Sequence, residues 1–308
     1  MNKRAADNPA DFIVPLNMNG LVGRMMVLPA PKSRSREILF IYGQHATIER
    51  FSGLIQELNK YGAVTVPDLP GFGGMHSLYK LDQKPTIDAL ADYLAAFVKL
   101  RYKRRRLTIA GLGFGFVVVT RMLQRYPDLA KRVDLLISFV GFAHKGDLKF
   151  NRIQYNLYLL YSRLLAFRLT AWLFHIICLR PAVLDWIYKT AEAKKKVDGL
   201  AIDEFDESEE TEINLWLVND ARTWAYTQLG LLKLDNCRVP VDLPVWHVAL
   251  KADTYFDQHL VEQHLKVIFK EYHGLESKLN PHQASALAEA KSAAPLMPTA
   301  LRRVLASS

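Results

Sequence analysis

Apolar positions along this chain change their period repeatedly, and each change marks an element. Phe12 to Pro29 alternates loosely around Asn19-Gly20, a dipeptide that favours a tight turn, which predicts a hairpin at a sheet edge. Pro31 to Arg36 is a basic, solvated connector. Ile38 to Tyr42 is a continuous apolar run, as expected of a strand buried on both faces. Ile48, Phe51, Ile55 and Leu58 then recur at helical spacing, and Ala63 to Val66 predicts another strand. A glycine-rich loop, Pro67 to Gly74, follows it. Thr86 is placed to cap a helix whose stripe is Leu90, Leu94, Phe97 and Val98. Leu107 to Ala110 reads as a strand, Val117 to Arg125 as a helix stopped before Pro127, and Val133 to Val140 as the next strand.

From about Ala143 to Asn236 the pattern turns purely helical, and strand character resumes at Leu243 to Leu250. Val261, Leu265, Ile268 and Tyr272 share one helix face, with Gly274 as a stop signal. Leu275 to Leu279 predicts a short last strand and Gln283 to Lys291 a final helix. Alternating strands and helices imply right-handed crossovers and a mostly parallel sheet with helices on both faces. The helical interruption reads as an inserted cap. The expected organisation is a core over residues 1–142, a helical cap over 143–236 and a second part of the core over 237–308.

Composition narrows this picture. Half of the 308 residues are hydrophobic, enough for a sizeable core and too many for a disordered chain. Lys and Arg total 40 against 31 Asp and Glu, and this net charge of +9 favours anionic surfaces, lipids or substrates without choosing among them. Cys178 and Cys237 stand far apart in no metal or redox spacing, so a reducing, cytoplasmic setting is expected. Met1 to Asp11 is polar and carries no apolar signal segment.

The chemistry concentrates at Gly111-Leu-Gly-Phe-Gly115, a glycine-punctuated turn between a strand and a helix. Those are the parts of a nucleophile elbow, whose G-x-S-x-G pattern carries the attacking side chain at its centre. Here the centre is Gly113. Together with Ile41-Tyr-Gly-Gln-His45 and Val66-Pro-Asp-Leu-Pro-Gly-Phe-Gly73, the turn resembles the α/β-hydrolase superfamily, over about Leu16 to Leu305. The first of these stretches is similar to the family's His-Gly oxyanion loop, with Tyr42 in place of His, and the second to its D-x-P-G-x-G loop.

That resemblance implies the remaining site. An acid follows the strand after the cap, where Asp253 is the first choice; Asp147, after the preceding strand, is the fallback, and Asp257 reads as helix-starting. The histidine follows the last strand, where His282 is preferred and His273, at an expected helix end, is second. The backbone N–H groups of Gln44 and Phe114 would form the oxyanion hole, and Tyr42 and His45 would line the pocket. By descent the activity is hydrolysis of an ester or similar acyl bond in a small apolar molecule. Glycine offers no attacking atom, so this member is expected to be a ligand-binding pseudo-hydrolase, or a weak enzyme using water activated by His282. The alternative is a non-enzymatic scaffold or a protein that contacts membrane surfaces through the cap and the basic cluster at 101–106.

Other readings of these residues carry less. A dinucleotide loop would need glycine at 116, which is Phe116, and an early βαβ unit. His76, His144, His247, His259 and His264 show no metal-binding spacing, and no cofactor is implied. Arg101-Tyr-Lys-Arg-Arg-Arg106 is either a helix end whose cations complement the dipole or a contact to anionic lipid or phosphate; it lacks a nucleic-acid reading motif. Tyr155 to Leu179 is rich in aliphatic and aromatic residues, interrupted by Arg163 and Arg168, and fits a lid pair or an interfacial helix better than a membrane span. The acidic run Asp203 to Glu212 is expected in water, starting a helix over Ile213 to Leu229. Nothing in the sequence fixes an oligomeric state.

Overall fold

The structure is a computed structural model that describes residues 9–178, 183, 214–251, 253–279 and 287–307. Its centre is one eight-stranded sheet in the order β1-β2-β4-β3-β5-β6-β7-β8. Strands β1 (Ile13–Met18) and β2 (Leu21–Leu28) form the predicted hairpin, with Asn19 and Gly20 both at positive φ as its tight turn requires. β2 pairs antiparallel with β4 (Gly62–Pro67). β3 (Arg36–Ile41), β4, β5 (Leu107–Leu112), β6 (Val133–Phe139), β7 (Val241–Leu250) and β8 (Phe269–Ser277) are mutually parallel.

Alternation along the strands feeds two cores. Leu39, Ile41, Ile109 and Leu136 pack under α2 (Ile87–Tyr102) and α3 (Phe114–Arg125). Ile38, Phe40, Val64 and Ile137 face α1 (Ser52–Asn59) on the other side. Thr86 caps α2 by accepting the Ala89 N–H at 3.0 Å, as its position predicts. Between β6 and β7 the described chain is helical: α4 (Arg152–Leu165), α5 (Arg168–Cys178), a short piece over 214–218, and α6 (Ala221–Leu231). The helix expected over Ile213 to Leu229 is therefore broken. Asp220 ends the first piece and caps α6, accepting from the Thr223 N–H at 2.7 Å. The acidic run Asp203 to Glu212 lies outside the described residues.

The end of the chain departs further from the sequence pattern. Helix α7 (Gln258–Ile268) stops at Ile268, and β8 starts at the next residue. Tyr272, His273 and Gly274 thus belong to a strand, where they pair with Val245, Trp246 and His247 of β7. Tyr272 keeps helical spacing with Ile268 by coincidence, and the ladder to β7 decides its conformation. A further helix that the periodicity did not flag, α8 (Thr299–Ala306), buries Leu301 and Leu305 against the α1 side of the sheet. Of the predicted helix Gln283 to Lys291, residues 283–286 are outside the described residues, and Ala290–Ala293 forms one helical turn.

Two polar networks fix the sheet's carboxyl end. Tyr42 is fully buried and donates its hydroxyl to the Asp68 carboxylate. Arg24 reaches the same carboxylate with Nε at 2.9 Å and grips Glu49 with both terminal nitrogens. β2, the loop after β3 and the loop after β4 are pinned together in this way. Burial pushes the Asp68 carboxyl up to about 7 although Tyr42 and Arg24 both favour its ionised form. Deeper in, Ser138 Oγ lies 2.9 Å from His247 Nδ1. Burial pushes His247 down to about 4, partly opposed by the nearby Gln258 side chain, which donates to Asp253 at 2.9 Å.

Because His247 is held neutral, the unfolded chain binds the extra proton between the unfolded value near 6.5 and the folded value near 4. Its contribution is complete above that window and is lost as pH falls through it. Urea unfolding is expected to show about 2 kcal/mol less loss between pH 7 and pH 5 in His247→Gln than in the parent protein. Tyr42→Phe should cost about 1–3 kcal/mol at pH 7 in the same assay, because it strips a donor from a buried carboxylate.

Candidate functional site

The sheet order itself locates a crevice. β4 lies on one side of β3 and β5 on the other, so successive connections leave β3 in opposite directions. Ligand crevices of open α/β sheets form outside the strand ends at such a reversal. Here that point is framed by the loop after β3, which carries Gln44 and His45, and by the turn from β5 into α3, which carries Gly113.

The turn has the strained geometry of a nucleophile elbow. Gly113 sits at φ +51° and ψ −115°, and its N–H donates to Phe139 O at 3.0 Å. Its two flanking glycines are demanded by packing. A Cβ on Gly111 would lie 2.6 Å from Phe116 Cα and 2.8 Å from Phe116 N, and one on Gly115 would strike the carbonyl oxygens of Ile41 and Tyr42. At Gly113 the situation is opposite: among the described residues an added Cβ meets nothing within 4 Å. The elbow is thus sterically complete around a central position that has room for a side chain and lacks one.

Gln44 and Phe114 flank this position. The Phe114 N–H is the first of α3, where no intrahelical acceptor exists. The Phe114 ring is buried edge-on against Phe72 of the loop after β4, at 6.2 Å between centroids. The Gln44 carboxamide donates to Trp224 O at 3.1 Å and Thr227 Oγ1 at 2.6 Å, which ties the loop to α6. His45 is half-buried with its ring 4.2 Å from Trp216, and burial with nearby Arg50 pushes it down to about 4, leaving it neutral at pH 7. Tyr42 does not face a pocket: it is 1% exposed, stacks on Phe51 and spends its hydroxyl on Asp68.

The acid and base candidates separate. Asp253 follows β7 and is buried, but its carboxylate closes a local turn, accepting from the Tyr255 and Phe256 N–H groups at 2.8 and 2.9 Å and from Gln258 Nε2. His282 lies outside the described residues. Asp257 is an N-cap for α7, as expected. His273 sits in β8, stacked on Trp246 at 4.3 Å, and not at a helix end.

Asp147 holds a partner that no sequence spacing announced. It is fully buried, one oxygen takes the Ala143 and His144 N–H groups, and the other lies 2.5 Å from His264 Nδ1 on α7. His144, Asp147 and His264 each offer a ligand atom within 4.8 Å of the others, which is the geometry of a possible metal cluster. Both carboxylate oxygens are already engaged, however, and His144 Nδ1 accepts from the Gly146 N–H at 3.0 Å. A cation would have to displace this set, so the cluster reads as a latch between the turn after β6 and α7. His264 is 117 positions from Asp147, and only the folded topology brings them together.

A cavity of about 600 Å³ opens beside α5, the 214–218 helix and the start of α6. Met75, Trp172 and Ile176 give it apolar walls, and Arg168 and Arg222 give it cationic ones, with His175 beside them. Asn219, 4% exposed, also lines it; its oxygen accepts the Gly73 N–H at 2.8 Å, while its Nδ2 has no hydrogen-bond partner among the described residues.

No protein-family model matches the chain, and no curated protein matches it. Solved structures do. A thermophilic esterase from Thermogutta terrifontis is similar at 16% identity and a TM-score of 0.58, over 86% of this chain and 89% of that one. The enol-lactonase from Burkholderia xenovorans LB400 matches at 13% identity and a TM-score of 0.60, over 86% of this chain and 91% of that one. A hydrolase from Oleispira antarctica gives 11% identity and a TM-score of 0.64, over 92% and 94%. Sheet order, elbow geometry and these neighbours agree that the chain has the fold of the α/β-hydrolase superfamily.

Proposed function

We propose that this protein is a hydrolase-fold receptor for a small apolar acyl or ester-type ligand, and that it does not form an acyl-enzyme at its elbow. The observation that carries this reading is residue 113. Its backbone is in the elbow conformation and its neighbours are pressed into the packing an elbow needs, yet the position bears no oxygen or sulfur. An oxyanion site and bound water alone leave about 10³–10⁴-fold over the uncatalysed rate, far below an enzyme with a nucleophile. The helices between β6 and β7 act as a cap over the crevice, through the bonds from Gln44 to α6. The cavity beside them is not lined by Gly113, Phe114 or Gln44, but its apolar walls with cationic and amide donors would suit the far end of an acyl chain that ends in a carboxylate.

Restoring the hydroxyl tests the reading. The parent protein is expected to be inert to a fluorophosphonate probe, whereas Gly113→Ser, with Asp253 and His282 as its acid and base, should label covalently and gain p-nitrophenyl butyrate hydrolysis by at least about 10²-fold. The variant should fold with a loss of about 1–3 kcal/mol, because serine is strained at that φ. A folded but unreactive Gly113→Ser would remove Asp253 and His282 from the site. Substantial turnover in the parent protein, abolished by His282→Ala, would replace the receptor with a water-using enzyme.

A further inference from the structure

We propose that α4 and α5 form a membrane-docking face that seats the protein on anionic lipid bilayers. On α4, Ile153, Leu157, Leu160 and Leu164 recur every three or four residues and therefore share one side of the helix. All four are exposed, Ile153 to 72%. The opposite side of α4 buries Ser162 and Leu165 and packs on α6. The apolar stripe of a surface helix normally faces the core. Here the stripe faces away from α6 and lies open.

Large apolar side chains are also exposed at the junction and along α5. Phe167 is 67% exposed, Leu169 66% and Trp172 56%. An open apolar surface of this extent marks an interaction site. Its charge pattern selects the partner: from Arg152 to Cys178 there is no Asp or Glu, while Arg152, Arg163 and Arg168 are exposed along it. Aliphatic side chains bordered by arginines, with Trp172, Tyr158 and Tyr161 half in water, match the layered polarity of a lipid interface. The shape agrees. Among the described residues no single helix is long and apolar enough to cross a membrane, but Arg152–Leu165 and Arg168–Ile177 together have that length and composition and bend by 96° where they join. Two short helices at a right angle can lie in the headgroup region with their apolar side chains immersed. The net charge of +9 adds a long-range attraction to acidic headgroups.

The test uses the full chain with sedimenting vesicles of phosphatidylcholine, with and without phosphatidylserine. Binding is expected to the acidic vesicles, weaker at high salt and much weaker to pure phosphatidylcholine. Phe167→Asp with Leu169→Asp, and separately Leu157→Asp, should each reduce it by at least about tenfold. Arg163→Gln with Arg168→Gln should lower binding to acidic vesicles toward the neutral-vesicle level. These positions are exposed, so unchanged circular dichroism and thermal midpoint are expected to confirm folding. Failure of the folded parent protein to bind acidic vesicles, or binding indifferent to the aspartates, overturns the proposal. So does lipid-free self-association that the aspartates abolish in a protein that ignores vesicles, since a second copy would then cover the face.

Discussion

The site depends on one close approach. The amino end of α3 comes so near the carboxyl end of β3 that nothing larger than glycine fits at 115 against the Ile41 and Tyr42 carbonyls. This contact sets the elbow and the loop carrying Gln44 at a fixed separation, across the line where the sheet reverses its connections. Gly111 does the same between β5 and the first turn of α3. The backbone at 113 is then over-determined by its surroundings, which is how a strained conformation persists in a folded protein. The Tyr42–Asp68–Arg24–Glu49 network reinforces the same corner from the β2 side, so packing and polar satisfaction converge on one arrangement.

Local chemistry explains what could be read in advance. The Asn19-Gly20 turn, the Thr86 cap and the strand–glycine–helix order at 107–125 each depend on a few adjacent residues, and each appears where the pattern put it. The misreadings arise where long-range pairing overrides a local period. Tyr272 satisfies helical spacing but lies in β8 because the β7 ladder offers a complete set of partners. The family loop has a polar ring at the position of Tyr42, which points to a pocket, yet a buried carboxylate 26 positions away captures its hydroxyl. The pairing of Asp147 with His264 has no local signature at all.

The molecule divides its hydrophobic burial unevenly. Both faces of the sheet are closed by helices, and the strands from β3 to β6 contribute side chains that are almost wholly inaccessible. The helices between β6 and β7 follow another rule. They are fastened to the core through Gln44, Asn219 and α6, but leave large apolar side chains in contact with solvent. A cavity with Arg168 and Trp172 in its wall shares those residues with the open face, so the two features form one continuous surface.

The space beside residue 113 has a consequence for the history such a chain can have. Some glycine codons become serine codons by a single base change, and here the new side chain would enter a volume that no described residue fills, between glycines already conforming to it. The obstacle to a hydroxyl at this point is torsional and small beside the stability of a domain this size. A lineage that carries this scaffold with one of those codons stands one nucleotide from presenting an alcohol at the mouth of its crevice.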